Sequence, residues 1–479
     1  MSFPHTPQFP IRPRPAARPQ ALRRELVRKV PWGWLEVVIL AGTLLPALLF
    51  IPGVSKVRTV TRVASYVIMP VAWWFVARRQ RPSIGVDTFP ARPWLVFSAV
   101  WLALSVFHPN AHTLLAASAQ AALYITIFCP AFWAGMALDS RRQIGRLLAL
   151  LFLCNALSSA VGVAQVFRPG TFMPPDMPAL RNEFGGQNLM YETADGRKIF
   201  RPTGLTDTPG GAGLAGVTAA LIGFCWALRP IAAWKRLASV GLAFLGIAVI
   251  YFTHVRVALV MLLLSFVTLI GLFVLQRNTR QAVLLAVGGV GSLVGALLWA
   301  IRSVGSSVTE RFVTLFQNDP VTVFGQNRGG FVRDAFEHLI WEIPLGGGMG
   351  WWGMTRMYFG NMNVRSPVWV ELMWQAWLQD GGLPLLIGYS GALVVALFDS
   401  ARIALTCPDR DVAYWGAVIV SLNLSVVAAC FCGVAFLSPL GVQFWILAAA
   451  LHAADCRARA ASRGALAAVS RPPVIAGAS

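Results

Sequence analysis

The stretch QNRGGFVRDAFEHLIWEIPLGGGMGWWG, Gln326 to Gly353, gathers chemically able side chains in an otherwise apolar chain. It holds Arg328, Arg333, Asp334, Glu337, His338 and Glu342, then a run of glycines and a pair of tryptophans. A guanidinium can grip phosphate oxygens through two parallel N–H donors and keeps its charge beside a low-dielectric region. Carboxylates and imidazoles can take a proton. Phe331, Ala335, Leu339 and Ile343 fall along one helical stripe and the charged residues on the other side, so the spacing predicts an amphipathic helix too polar to span a bilayer. Pro344 ends it, and Gly346, Gly347, Gly348 and Gly350 then allow close backbone approaches that a side chain would block. An arginine-bearing helix followed by a glycine turn suits a flat, charged, lipid-linked ligand at a membrane interface, with Trp341, Trp351 and Trp352 as interfacial anchors. The same pattern fits a helix that only docks on a bundle, with His338 solvated between Asp334 and Glu342, and composition alone favours that second reading.

The elements that must position these residues are apolar. Of 479 residues, 56% are hydrophobic and 13% charged, and soluble domains carry about twice that charged share. Apolar runs predict one all-α, polytopic membrane domain of about twelve spans: 32–51, 60–77, 92–107, 113–137, 147–167, 209–228, 236–253, 257–275, 281–301, 383–399, 412–432 and 436–454. The third is short, and 236–253 and 257–275 are joined by almost nothing. No cleavable signal peptide is read at the start, where a Pro- and Arg-rich stretch precedes the first apolar run. With the N-terminus in the cytoplasm, 25 of the 40 basic residues fall in inner connections and tails, which is consistent with both termini on the cytoplasmic side. The domains are then a basic tail 1–31, disordered and drawn to the membrane surface, a transmembrane domain 32–455, and a tail 456–479. The net charge of +20 reflects this topology rather than a nucleic-acid surface.

Two long connections, 168–208 and 302–382, emerge on the outer side and carry twelve of the twenty carboxylates, Asp176, Glu183, Glu192, Asp195, Asp207 and Asp319 among them. Asp207 is placed to cap the helix that starts near Gly210. Arg201 and Arg256 each stand at the outer end of a span, where a charge is costly unless it reaches water or binds something. The seven cysteines lie in apolar runs or near inner segments, so disulfides in the outer loops are not expected. The six histidines form no ligand cluster and the outer loops hold no DxD pair, so no metal and no other cofactor is expected.

Four pieces in order carry a resemblance: RPTGLTDTPGGAG (201–213), THVRVAL (253–259), FVRDAFEHLIWEIPLGGGMG (331–350) and VELMWQAWLQDGGLPLLI (370–387). Together they resemble the O-antigen ligase and Wzy-type polysaccharide polymerase superfamily over roughly residues 195–400. The resemblance implies a GT-C-like helical fold in a bacterial inner membrane, with a large periplasmic loop. It also implies glycosyl transfer from an undecaprenyl-diphosphate-linked oligosaccharide donor to a glycan acceptor or to lipid A-core, among membrane lipids. A chain-length regulator is an expected partner and nucleic acid is not. In that reading Arg201 and Arg256, then Arg328 and Arg333, hold the diphosphate. Glu371 is the first candidate for the general base and His254 and His338 the next. Trp369, Trp374 and Trp377 offer aromatic platforms for sugar rings. Val370 or Glu371 stands where ligases carry histidine, Gln379 where the family has glutamate, and Pro384 where it has a second glycine. These departures favour a polymerase over a ligase. A twelve-span transporter or flippase is the alternative from another class, disfavoured because the spans hold almost no charge, with Glu36 and Asp399 near span ends.

Overall fold

The computed structural model describes residues 32–51, 58–78, 89–173, 189–192, 198–305, 307–317, 324–361 and 368–469, with residues 53, 196 and 322 singly between them. The basic tail 1–31 and Asp176, Glu183, Asp195 and Asp319 lie outside the described residues. Each expected span falls on a helix. In chain order these are α1 (Trp34–Leu44, continued by a 3-10 turn to Phe50), α2 (Arg58–Arg78), α3 (Arg92–Ser105), α4 (Leu114–Phe128), α5 (Pro130–Ala137) and α6 (Gln143–Phe167). A two-stranded antiparallel ribbon, β1 (Met190–Glu192) with β2 (Lys198–Phe200), precedes α7 (Pro209–Ala227). Then come α8 (Ala233–Thr253), α9 (Arg256–Leu275), α10 (Thr279–Val304) and α11 (Ser307–Gln317). The amphipathic segment is α12 (324–342), and α13 (Gly353–Phe359), α14 (Met373–Thr406), α15 (Arg410–Ala428) and α16 (Pro439–Val469) complete the fold. Among the described residues, eight helical stretches are long and apolar enough to cross a membrane. The protein is a polytopic, largely helical membrane protein.

Burial separates lipid-facing from core-facing surface. The stripe of α10 formed by Val283, Val287, Val290, Val294 and Leu298 is exposed, as a bilayer-facing helix requires. Helices α7 and α8 instead pack backbone to backbone. A side chain at Gly246 would meet the Gly216 carbonyl at 2.8 Å, so two glycines set this close crossing. The core is aromatic: Trp377 stacks on Tyr389 with ring centroids 4.9 Å apart, and Phe436 and Trp445 pack around Tyr389.

The two faces of the bundle differ. The starts of α1, α6 and α15 share one face, here the terminal face. Buried Glu36 pairs there with Arg146 and accepts from Gln143 Nε2 at 2.8 Å. On the same face Asp399 of α14 holds His452 and Arg402, each at 2.7 Å. The opposite, loop face carries the α8–α9 turn, α11, α12 and the glycine run, and the α3–α4 connection meets that run where the His112 amide donates to the Met349 carbonyl at 3.0 Å.

Two expectations about the last outer loop are corrected. The loop does not run to residue 382: α14 begins at Met373 and continues through a break at Gly382, whose φ of 65° suits glycine. Its first turns are as buried as a span, because they sit beneath the glycine run rather than in water. Trp352 is not an interfacial anchor, since it is buried at 6% exposure, whereas Trp341 is 78% exposed.

Candidate functional site on the loop face

The α8–α9 connection is short enough to force one residue into left-handed backbone. His254 takes it, with φ 54° and ψ 25°, at the end of α8. Its Nδ1 lies 3.0 Å from the Phe252 carbonyl, which can only accept, so Nδ1 carries the proton and Nε2 the lone pair. Burial pushes the His254 pKa down to about 4, the nearby Arg201 and Arg311 charges lower it further, and the Phe252 bond opposes them. The imidazole is therefore neutral at pH 7.

Three arginines converge on this turn. Arg201 Nε donates to the Thr253 carbonyl at 2.7 Å, tying the end of β2 to the end of α8. Burial, then the charge of Arg311, lowers the Arg201 pKa. Arg256, at the first position of α9, donates from Nε to the Arg311 carbonyl at 3.0 Å. The sequence puts Arg201 and Arg256 at outer span ends, and the structure brings them to one junction. Arg311 escapes a reading of the sequence, because nothing in SVTERFVTLFQ sets it apart from any other exposed amphipathic helix.

From Arg201 the chain turns directly into a cavity. Gln165 Oε1 accepts from the Thr203 and Gly204 amides at 2.9 and 3.0 Å, and Ser158 Oγ from Leu205 at 3.1 Å, so α6 fixes the 201–208 loop. The cavity beyond has a volume of about 360 Å³. Its walls include Thr43, Tyr66, Asn155, Asp207, Thr208 and Gln443. The first turn of α7 divides cavity from junction: Gly211 faces the cavity, and Gly213 faces Thr253 and Val255. Asp207 is not the helix cap. Thr208 is, its side chain accepting from the Gly211 amide, because a cap must immediately precede Pro209. That leaves the half-buried Asp207 carboxylate among the cavity walls.

The opening stretch behaves as its pattern requires, with one rearrangement. Ala335 is buried, while Arg333, Asp334, Glu337, His338 and Glu342 are exposed. Arg333 binds Glu337 one turn on, at 2.8 Å, so its partner is on its own helix rather than at the junction. His338 is as exposed as that pair. Arg328 instead meets the last motif, with Nε 3.8 Å from Glu371 Oε2. Trp369 donates its indole N–H to Glu371 Oε1 at 3.0 Å, and the Glu371 amide donates to Gln375 Oε1 at 3.2 Å. Trp369 is 69% exposed. Trp374 packs on Trp377 and Phe431. Trp377 is fully buried, so it is a core residue and no platform for a glycan.

The glycine run docks on the break in α14. Gly347 N–H donates to the Gln379 carbonyl and Leu383 N–H to the Pro344 carbonyl, both at 2.8 Å. A side chain at Gly346 would meet Gly381 backbone at 3.1 Å. Beneath the run lies Asp380, a buried carboxylate that no pattern in the sequence sets apart. It accepts from Gln120 Nε2 at 3.0 Å, Tyr124 Oη at 2.9 Å and Trp352 Nε1 at 2.9 Å. Thr355 Oγ1 completes the network by donating to Gln120 Oε1 at 2.5 Å. Both Asp380 oxygens are engaged by these three donors, as in a carboxylate that holds structure together. Among the described residues no group of three or more His, Cys, Asp or Glu side chains is placed to hold a metal ion. Compared with known proteins, the chain matches no family model, and no curated protein matches it.

Proposed function

We propose that this protein is a membrane glycosyltransferase that acts on polyprenyl-diphosphate-linked glycans at its loop face, as a Wzy-type polymerase of surface-polysaccharide repeat units. The observation that carries the reading is the convergence of Arg201, Arg256 and Arg311 on the α8–α9 turn, one helical turn from a largely apolar cavity whose walls also carry hydroxyls. Three guanidinium groups at the end of a span suit a diphosphate whose lipid tail stays in the bilayer. A cavity at the lower end of the small-molecule range, mostly apolar with hydroxyls, amides and one carboxylate set into its walls, has room for one or two sugar rings. The order of the four resembling segments adds support, since two of them build the junction.

The chemistry follows from the placement. The bond between the donor sugar's anomeric carbon and the diphosphate oxygen breaks, and the electron pair leaves with the diphosphate. The arginines offset that growing charge. The acceptor hydroxyl forms the new bond to the anomeric carbon and loses its proton to Asp207, the carboxylate in the cavity wall. His254, buried and neutral, is a positioning residue: its left-handed turn sets where Arg256 starts α9. Glu371 and Arg328, with Trp369, line the path of the glycan. The loop face is then the periplasmic one, in keeping with the inner bias of basic residues.

The test is replacement of the arginines. Arg201→Ala, Arg256→Ala and Arg311→Ala should each abolish polymer while membrane abundance stays near normal. Losing one charge-assisted grip on the diphosphate costs about 2–4 kcal/mol, or roughly 30- to 1000-fold in rate. Polymer at wild-type yield in all three variants would sink the proposal.

A further inference from the structure

A second cavity lies on the terminal face, between the starts of α6 and α15 and the end of α7, with a volume of about 280 Å³. Four arginines line it, Arg141, Arg142, Arg146 and Arg229, together with the indoles of Trp226 and Trp415, whose ring centroids are 4.9 Å apart. Three of the four cations are matched. Arg141 pairs with Asp409 and Arg229 with Asp411, both at 2.8 Å, and Arg146 pairs with Glu36. The Arg142 guanidinium has no carboxylate partner among the described residues, so the walls keep one uncompensated positive charge. A further polar group is left over. The Trp226 Nε1–H is buried without an acceptor among the described residues, and an indole N–H can only donate. Buried donors are rarely left so, and a small turn of the indole would bring this one to an acceptor oxygen in the cavity.

We propose that this cavity binds a phosphate-bearing anion, with Arg142 and the Trp226 N–H donating to its oxygens and the two indoles bounding its apolar part. The loop-face cavity is a separate site: along α6 its wall begins at Asn155, nine residues or about 13 Å from Arg146. A space this small holds a phosphate with a short alcohol rather than a drug-sized ligand. Two sources carry that chemistry: the headgroup of an anionic phospholipid, which basic pockets between spans bind, or free phosphate or diphosphate.

Thermal unfolding of the delipidated full chain in neutral detergent distinguishes them. The additions are dioleoyl-phosphatidylglycerol, dioleoyl-phosphatidylcholine, inorganic phosphate and pyrophosphate. The lipid source is supported if phosphatidylglycerol raises the midpoint saturably and phosphatidylcholine does not. The free-anion source is supported if phosphate or pyrophosphate does so alone and competes with the lipid. In either case Arg142→Gln should weaken the half-saturating concentration about fivefold and Arg142→Glu further, while Arg142→Lys stays near wild type. Trp226→Phe, which keeps an aromatic ring and removes the donor, gives an independent reading and should also weaken binding. Equal stabilisation by both lipids with no effect of either phosphate would overturn the proposal. So would wild-type binding in both Arg142→Gln and Trp226→Phe.

Discussion

Replacing Asp380 by Asn should loosen the loop face by an amount that can be worked out from its contacts. The Oδ2 atom takes two donors, Gln120 Nε2 and Tyr124 Oη, and Oδ1 takes Trp352 Nε1. Asn has one oxygen. Kept in the Oδ2 position, it retains two donors and turns its NH₂ onto the Trp352 N–H. Flipped, it keeps one donor and opposes two. The better arrangement strands one buried donor and the amide itself, at a cost of about 2–6 kcal/mol. Asp380→Ala strands all three donors and costs about 3–9 kcal/mol. The assay is equilibrium unfolding of the purified full chain in detergent. A double-mutant cycle makes the cause specific: Trp352→Phe removes the opposing N–H, so the Asp380→Asn/Trp352→Phe pair should be less destabilised than the sum by about 1–2 kcal/mol. Because Trp352, which follows the glycine run, rests on this carboxylate, glycan transfer should fall along with stability. Unfolding of Asp380→Asn at the wild-type midpoint, or strict additivity in the cycle, would refute the reasoning.

Other outcomes follow from the same geometry. Burial holds His254 at a pKa of about 4 against an ordinary 6.5, so the unfolded chain binds the extra proton first as pH falls. Its contribution is complete above pH 6.5 and is lost by pH 4, about 3 kcal/mol in all; unfolding measured between pH 7.5 and 5 should show this slope, and His254→Asn should flatten it. Asp207→Asn should cut turnover by about 10²- to 10⁴-fold with donor binding retained, and Glu371→Gln by much less; the reverse order would make Glu371 the proton acceptor. A reporter fused after Phe331 should read periplasmic and one after Arg79, Arg142 or Arg236 cytoplasmic; a cytoplasmic signal after Phe331 would invert the orientation.

The sequence carried the helices and much of one junction. Apolar runs locate the helices because a span must be long and greasy, and THVRVAL marks the α8–α9 turn because two runs almost touch there. The periodicity of 331–343 carries the exposed and buried sides of α12. What the sequence hid depends on distant partners. Asp380 meets Gln120 and Tyr124 across more than 250 residues, so local context reads it as the aqueous end of a loop. Gly381 and Gly382 read as loop for the same reason, until the glycine run is seen to rest on them. Trp377 sits in an aromatic-rich stretch that suggests sugar stacking, yet its neighbours Tyr389 and Phe436 arrive from further along the chain and bury it. Asp207 has the side chain of a cap but stands one residue too early, and only the fold turns it toward the cavity.

The most direct test reconstitutes the purified chain in nanodiscs with a synthetic undecaprenyl-diphosphate-linked repeat unit and separates the glycans by size. The wild type should build a ladder of lengthened glycans and release undecaprenyl diphosphate in step with it. Arg201→Lys and Arg256→Lys should lose most of that activity, since an ammonium keeps the charge but cannot fork onto the diphosphate. A wild-type ladder from the Arg201→Ala/Arg256→Ala double variant would contradict the account.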